Sequence, residues 1–432
     1  MTGPSGLPRL LTGLRPDGRP LSLAEHAAHH GPLPPRSRRR GPDRALIEVT
    51  GRSGLRGRGG AGFPTGRKLA SVVDQGSRPV VVANGAEGEP ASAKDRVLMQ
   101  RAPHLVLDGA QVAAWAVGAT EVIVAVCGEA PEVLAVLRHA VAERTAGCWD
   151  HVQPAVLATP ERFIAGEESA LVALLNGRAP KPTFVPPRPY QRGVGGRPTL
   201  VQNVETLAHL ALIARNGPEW FRGLGTAAEP GSTLVTLGGA VARPGVYEIP
   251  RGASMSYLLS GAGGTTASVQ AHLVGGYGGT WVRADTARDV PLCDEALAGV
   301  GGMLGPGVVV ALPAGACGLA ETARVLSYLA REGAGQCGPC THGLGAMVGA
   351  MSSVARGDGG AAAIGHLRRW ASQVTGRGAC HHPDGAARLA TSALRVFRAD
   401  LAAHVHGHPC SGARCSPVLA VPGPLTLTAG AR

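Results

Sequence analysis

The sequence predicts an α/β domain, then a small β-rich module, then a C-terminal helical bundle, and three observations carry this. Short apolar runs alternate with helix-periodic stretches between Arg44 and Gly225. The pattern changes to short strands and turns from Ser232 to Val282. From Leu319 to Val405 it is helical. Residues 1–43, rich in Pro, Arg and His, are expected to form a flexible segment ahead of the first domain. The parts are then placed at 44–228, 229–300 and 301–405, with a tail at 406–432.

Taken in order, Arg44 to Thr50 reads as helical. Pro79-Val-Val-Val-Ala83 and Glu121-Val-Ile-Val-Ala-Val126 are compact apolar runs that suit buried strands. Helical periodicity spans Pro103 to Val117 between them, and Pro131 to Arg144 after the second. Glu167 to Leu175 is an apolar helix whose acids lie in the first turn, where the helix dipole favours them. Pro180 to Pro198 is too proline-dense for regular structure. Strands follow at Thr233–Leu237 and His272–Gly276, with Arg243–Ile249 a turn into another strand and a short helix at Met255–Leu259. The bundle helices are expected at 320–331, 343–355, 361–374 and 386–404.

Composition narrows the function. At 432 residues and 44% hydrophobic content the chain is long enough for several cores. The 64 glycines and 34 prolines show no short period, so they punctuate loops. Formal charge is +12, concentrated between Arg36 and Arg67. Nucleic acid is disfavoured as the partner, because aromatics are only 3% and base-stacking platforms need them. An anionic cofactor or an acidic protein partner accounts better for the surplus. The N-terminus shows no apolar signal segment. Two long uncharged runs, Gly252–Val282 and Ala296–Ala320, are too broken by Gly, Pro and polar residues to span a membrane. A soluble chain is expected. Nine cysteines, an odd number, point to reduced thiols and metal ligation over disulfides.

Lysine usage picks out three motifs. Of 42 basic residues 39 are arginines, and the three lysines are Lys68, Lys94 and Lys181. A position that keeps lysine amid such drift needs a compact ammonium charge. Lys68 closes a run with six glycines in thirteen residues, Gly54-Leu-Arg-Gly-Arg-Gly-Gly-Ala-Gly-Phe-Pro-Thr-Gly66. Gly57, Gly59, Gly60 and Gly62 allow backbone N–H groups to converge on an anion, and Lys68 supplies countercharge. A dinucleotide fingerprint in the strict sense is excluded, because a helix and not a strand precedes the glycines. Lys94 follows Asn84-Gly-Ala-Glu87-Gly-Glu-Pro90, and Lys181 opens Lys181-Pro-Thr-Phe184.

These motifs, with Gly166-Glu167-Glu168-Ser-Ala-Leu171 and Asn203-Val-Glu-Thr206, resemble the NADH-binding flavoprotein subunit of respiratory complex I. The diaphorase subunits of NAD-linked hydrogenases and formate dehydrogenases share them. The resemblance runs in order from about Pro42 to Ala403. It implies a flavin domain, a β-grasp (ubiquitin-like, soluble-ligand-binding) domain at 229–300, and a bundle carrying an iron–sulfur cluster. By resemblance the glycine loop, Lys68, Asn84, Glu87, Gly166, Glu167 and Asn203 belong to the cofactor site, with FMN on the loop. Phe63 and Phe184 would sandwich the nicotinamide nucleotide, Glu168 would bond its ribose hydroxyls, and Lys181 would reach its phosphate side. A carboxylate at the ribose favours NADH over NADPH. Ordinary core packing is the alternative for both phenylalanines.

Departures from the family pattern matter too. Ala86 replaces an acid, Gln202 replaces an Asn before Asn203, and Leu69 and Ser71 stand where aromatics are common. Losing one hydrogen bond costs about 0.5–1.5 kcal/mol, which weakens FMN binding without forbidding it. The resemblance assigns Cys337, Cys340 and Cys380 as cluster ligands, but the first ligand position holds Ala334. Three thiolates suit a 3Fe-4S cluster, or a 4Fe-4S cubane whose fourth iron takes water or an imidazole such as His342, His381 or His382. The tail His404-Val-His-Gly-His408-Pro-Cys410 with Cys415 gathers ligand types that could bind a metal or lend the missing cluster ligand, but disorder is preferred because Cys-x4-Cys is not a strong zinc spacing; Cys127, Cys148, Cys293 and Cys317 read as structural.

The reading is an NADH dehydrogenase that passes electrons through FMN and the cluster to a protein or quinone-linked acceptor, with an acidic ferredoxin-like subunit as the expected partner. Its expected place is cytoplasmic, at the periphery of a membrane complex. The rival is a non-catalytic paralogue with decayed flavin and cluster sites.

Overall fold

The structure, a computed structural model, describes residues 6–15, 17–34, 41–76, 78–408, 410, 412 and 415–422. The first domain contains α1 (Leu23–His30), α2 (Arg44–Ser53), α3 (Thr65–Val73), β1 (Val80–Gly85), α4 (Lys94–Arg101), α5 (Pro103–Val117) and β2 (Glu121–Cys127). It continues with α6 (Pro131–Ala146), β3 (Pro154–Thr159), α7 (Glu168–Leu175), β4 (Thr199–Asn203) and α8 (Val204–Arg222). The four strands are parallel, in the order β3-β2-β1-β4. Helices cover both faces, which explains the uninterrupted apolar runs of β1 and β2. Val81 and Ala83 pack into one core and Val80 and Val82 into the other, as a two-residue period requires.

Helix limits follow local chemistry. Asp43 caps α2 by accepting the amides of Ala45 and Leu46, and Gly54 closes it in the left-handed region. Pro103 opens α5 and left-handed Gly118 ends it. The α5–α8 crossing is tight, since a Cβ on Gly109 would lie 1.9 Å from the Leu207 carbonyl oxygen.

The second sheet is mixed, with the order β6-β5-β9-β7-β8. Its elements are β5 (Ser232–Gly239), β6 (Gly245–Pro250), α9 (Met255–Gly261), β7 (Val269–Val274), β8 (Thr280–Arg283), α10 (Ala284–Ala287), α11 (Asp294–Ala298) and β9 (Val308–Pro313). The placement of residues 301–405 in a helical unit is corrected here, because β9 is the central strand. Its partners β5 and β7 lie far back in the chain, so no local signal announces the pairing. Along β9, Val308, Val310 and Leu312 face the helical region while Val309 and Ala311 face the core under α9.

The helical region comprises α12 (Gly318–Arg331), α13 (Leu344–Arg356), α14 (Gly360–Val374), α15 (His382–Val396) and α16 (Arg398–Val405). Phe397 leaves helical geometry (φ −96°, ψ 39°) and splits the expected fourth helix.

The N-terminal expectation is also corrected for the residues described. Leu10 is fully buried, and the amides of Arg9, Leu10 and Leu11 donate to the Glu248 carboxylate at 2.9, 2.9 and 3.2 Å. His26 meets buried Asp108 at 2.8 Å. Composition could not reveal these docking partners, which lie more than eighty residues away.

Candidate functional site

The parallel strands β1 and β4 end side by side, with Asn84 paired in register to Asn203. From β1 the chain proceeds to β2 on one side, whereas β4 lies on the other. Connections therefore diverge above the carboxyl ends of β1 and β4, the switch point where open α/β sheets form a ligand crevice. Asn203 caps α8 through the Glu205 amide (3.0 Å) and donates its Nδ2 to Asp95 at 2.6 Å. Asn84 donates Nδ2 to the Gly166 carbonyl at 2.8 Å and accepts the Ala86 amide at 3.1 Å. A side chain at Gly166 is excluded, because its Cβ would stand 2.4 Å from the Ala86 oxygen.

The glycine loop folds back over this crevice. Gly57 donates to the Phe63 carbonyl at 2.9 Å, closing a turn in which Gly60 (φ +113°) and Gly62 (φ +61°) take positive φ. Gly59 rests on Asn203, where an added Cβ would lie 3.2 Å from that residue's Cβ. Arg58 anchors the loop from beneath. It is buried, its amide donates to the Thr206 hydroxyl at 2.8 Å, and its guanidinium reaches the Ser232 carbonyl at 3.1 Å. Among the described residues the amides of Gly59 and Gly60 take no part in the backbone and side-chain bonds that fix the loop. Successive N–H groups in such a loop form a cradle for an anion.

The rim of the crevice joins three further motifs. Lys68 on α3 and Glu168 at the start of α7 form an ion pair of 2.7 Å, both partly exposed. Glu167 caps α7 through the amides of Ser169 and Ala170 at 3.0 and 2.9 Å. The Ser169 hydroxyl accepts the Thr183 amide at 2.9 Å, which ties the Lys181–Phe184 loop to α7. Lys181 is exposed on that loop. Phe63 and Phe184 are 46% and 68% exposed, so core packing does not explain either ring. Arg67 lies 5.7 Å from the Phe63 ring centre.

The three cluster-motif cysteines converge next to this loop. Gln336 donates to the Pro182 carbonyl at 2.8 Å, joining the Cys337 turn to the segment that carries Phe184. Cys337, Cys340 and Cys380 are free thiols. Burial pushes the Cys380 thiol up to about 11 against the pull of the His382 amide, with Glu167, Cys340 and Cys337 close enough to add to the shift. The Gly335 amide donates to Cys340 Sγ at 3.3 Å, and a Cβ on Gly333 would approach that sulfur to 2.5 Å. The loop thus wraps a sulfur as a thiolate-ligated cluster requires, while Ala334 contributes no ligand atom. His381 is bonded to Asp384 at 3.0 Å, and His382 Nε2 donates to the Leu329 carbonyl at 2.7 Å.

Two sequence-selected residues serve the frame and not the crevice. Lys94 is buried, at 2.7 Å from Asp95 and 2.9 Å from Glu205. Burial works against its ammonium charge, but the two carboxylates outweigh it and hold the group protonated. Through Asp95 it positions Asn203. Glu87 has both oxygens engaged at the start of α4, by the amides of Asp95 and Arg96 at 3.2 and 3.1 Å and by the Ser92 hydroxyl. Gln202, buried in β4, points its amide to the Thr65 hydroxyl at 3.4 Å. Asp95 went unremarked in sequence, and its place beside the lone Lys94 was the available signal.

Comparison with known proteins agrees with this geometry. Residues 50–212 match the Nuo51 FMN-binding domain, 234–279 the SLBB domain, and 320–404 the NADH-ubiquinone oxidoreductase-F iron-sulfur binding region. The second NADH-quinone oxidoreductase F protein of Rhizobium meliloti is 33% identical over 408 residues, which is 91% of this chain and 96% of that one. The chain belongs to the NADH-quinone oxidoreductase F family. The F protein of Mycobacterium tuberculosis is 36% identical over 385 residues, 85% of this chain and 86% of its own. A chain of an NAD+-reducing nickel–iron hydrogenase, solved in the air-oxidized state, shares 30% identity and a TM-score of 0.78. That match covers 84% of this chain and 63% of the hydrogenase chain. The family's FMN-binding and iron–sulfur regions contain the crevice and the three cysteines respectively. No helix among the described residues is long and apolar enough to cross a membrane.

Proposed function

We propose that this chain oxidises NADH, holding FMN in the crevice above β1 and β4 and an iron–sulfur cluster on Cys337, Cys340 and Cys380. The observation that carries the reading is the convergence of five separate motifs on one crevice. Glycine amides, paired asparagines and a Lys–Glu couple are linked there, and two exposed phenylalanines lie on the loops tied to them. Bound there, FMN would supply the two-electron acceptor for NADH, and the cluster would carry electrons onward singly.

The protein's own part is binding and orientation. Gly59 and Gly60 offer backbone donors to the flavin phosphate, Gly57 and Gly62 shape the turn that presents them, and Lys68 offers charge. Asn84 and Asn203 stand at the strand ends as polar guides, while Gly166 lets the turn after β3 approach the 84–86 segment closely. Phe63 and Phe184 present rings to the nicotinamide nucleotide, which stacks flat on an aromatic face. Glu168 accepts the ribose hydroxyls and repels a 2′-phosphate, so NADH is preferred to NADPH. Without substrate Lys68 and Glu168 neutralise each other, so ligand entry exchanges one ion pair for contacts to phosphate and hydroxyl. Lys181 reaches the phosphates from the Phe184 loop. Glu87 and Glu167 act one step back, by fixing the ends of α4 and α7.

Three thiolates suit a three-iron cluster, or a cubane whose fourth iron takes solvent. We read the second sheet as the β-grasp module and the last helices as a bundle that carries the cluster. The formal charge of +12 suits an acidic ferredoxin-like partner within a multisubunit NADH-oxidising assembly. Visible absorption of the purified protein tests the reading. A flavin spectrum bleached by NADH supports it, and loss of bleaching in Glu168→Ala assigns that carboxylate. A colourless protein that still binds nucleotide would establish instead a non-catalytic paralogue, the reading that Ala86 and Ala334 favour.

A further inference from the structure

Three ligand-type residues meet well away from the crevice. Cys317 caps α12, His404 lies in the last turn of α16, and Cys410 follows in the tail. One ligand atom of each, Sγ or ring nitrogen, lies within 4.8 Å of the others, and Cys317 Sγ stands 3.8 Å from His404 Nε2. Cys317 and His404 are buried and Cys410 is half-buried. In the sequence, Cys317 reads as structural from its apolar context, and the tail reads as disordered more than metal-binding because Cys-x4-Cys is not a strong zinc spacing.

We propose that Cys317, His404 and Cys410 form a zinc site that fastens the C-terminal tail to the helical region. The histidine is already set for ligation. Its Nδ1 lies 3.1 Å from the Val354 carbonyl oxygen. A carbonyl only accepts, so Nδ1 carries the proton and Nε2, within 4.8 Å of both sulfurs, keeps its lone pair as an acceptor. A ligating imidazole is held in this way by its second nitrogen. The Cys410 amide donates to that lone pair at 3.0 Å, and the ion would displace this bond. The tail is seated directly on the Cys317 turn. A Cβ on Gly412 would come within 2.6 Å of the Gly315 oxygen and 2.7 Å of the Cys317 nitrogen, so only glycine fits there.

The chemistry selects the metal. Two thiolates and a neutral imidazole form a donor set that suits Zn2+, and their two negative charges balance the ion. Tetrahedral ligands at about 2.0–2.3 Å from zinc stand roughly 3.5 Å apart, so a closure of about 1 Å completes the shell. Binding releases the two thiol protons to solvent, and a water molecule fills the fourth position on the half-buried side. The amide of Ala320 donates to Cys317 Sγ at 3.4 Å, which fixes the sulfur at the start of α12. Cys317 and Cys410 also fall outside the 320–404 iron–sulfur region, which separates this site from the cluster cysteines.

Elemental analysis of the full-length holoprotein, purified under reducing conditions without added metal, tests the site. The expected result is about one zinc per chain in addition to iron. Cys410→Ser should lower zinc to below about a tenth per chain while iron content and visible absorption stay unchanged. The same variant should become sensitive to limited proteolysis in the tail beyond Gly407. Cobalt exchanged into the wild type should show thiolate-to-metal charge-transfer absorption that Cys410→Ser lacks. Absence of zinc from the wild type, full zinc in Cys410→Ser, or a Cys317–Cys410 disulfide under the same conditions would overturn the proposal.

Discussion

Replacing Phe184 with alanine separates stacking from packing in one experiment. The ring is 68% exposed, so its removal opens no cavity and should change stability by no more than about 0.5 kcal/mol. Phe221 is 0% exposed by contrast, and its truncation should cost about 3–5 kcal/mol. If Phe184 stacks on the nicotinamide nucleotide, its loss forfeits about 1–3 kcal/mol of binding, the range for one base on one aromatic ring. That converts to roughly a 5- to 150-fold rise in Kd. Titrating the purified holoprotein with NAD+ while following flavin fluorescence gives the affinity, and thermal unfolding gives the stability. Phe184→Tyr keeps a flat face and should retain most of the affinity. An unchanged Kd in Phe184→Ala, or a fall in Tm like that of Phe221→Ala, would refute the assignment.

Three other outcomes follow from the same structure. Asp108 is fully buried between Arg144 (2.8 Å), His26 (2.8 Å) and Arg215. Asp108→Asn should therefore lose about 3–5 kcal/mol in denaturant unfolding. Burial alone would raise the Asp108 carboxyl, but His26, Arg144 and Arg215 outweigh it and hold the folded-state value below the ordinary one. The stabilisation is thus complete above the unfolded value of about 4 and lost as pH falls through the folded one, so the gap between wild type and Asp108→Asn should narrow in acid. A gap that stays constant from neutral pH to below about pH 3.5 would contradict this. Glu168→Gln should raise the NADPH-to-NADH ratio of kcat/KM by about tenfold, equivalent to ~1.4 kcal/mol, and an unmoved ratio would remove Glu168 from the ribose. Cys380→Ser should lower iron and sulfide per chain, and wild-type iron content would exclude that thiol as a ligand.

What the sequence revealed divides along physical lines. Helices with local stop signals were legible: Pro103 and Gly118 bound α5 at the expected residues, and Asp43 and Gly54 bound α2. β1 and β2 were legible because strands buried on both faces read as continuous apolar runs. β9 was not, since its identity depends on pairing with β5 and β7, and its flanks are full of glycine and proline. Of the three lysines, Lys68 and Lys181 are accessible at the crevice motifs, while Lys94 is buried beneath them. Lysine retention therefore marked positions sensitive to charge geometry, but it did not separate ligand contacts from the ion pairs that support them. Cys317 and His404 were illegible as a pair, because the contact is made only when α12 and α16 pack.

The distribution of exposure explains why this site can tolerate substitution. Its polar contacts come largely from backbone amides and from side chains at strand ends, whereas the buried charges around Asp108 and Lys94 lie beneath it. Ala86 keeps the amide that donates to Asn84, and Gln202 keeps a buried amide bonded to Thr65, so both departures preserve the frame. Ala334 likewise leaves the Gly333–Gly335 wrap around Cys340 in place while removing one possible ligand. Cofactor affinity can thus drift at such positions with little cost to folding, because an alanine in a loop fixed by neighbouring backbone bonds opens no cavity. Phe63 and Phe184 argue in the other direction. Two of only five phenylalanines stay exposed on loops that border the crevice motifs, where packing gives no reason to keep them. On the proposed function a flat ligand would supply that reason, which is why the Phe184 experiment bears on function and the alanine positions bear only on how tightly a cofactor would be held.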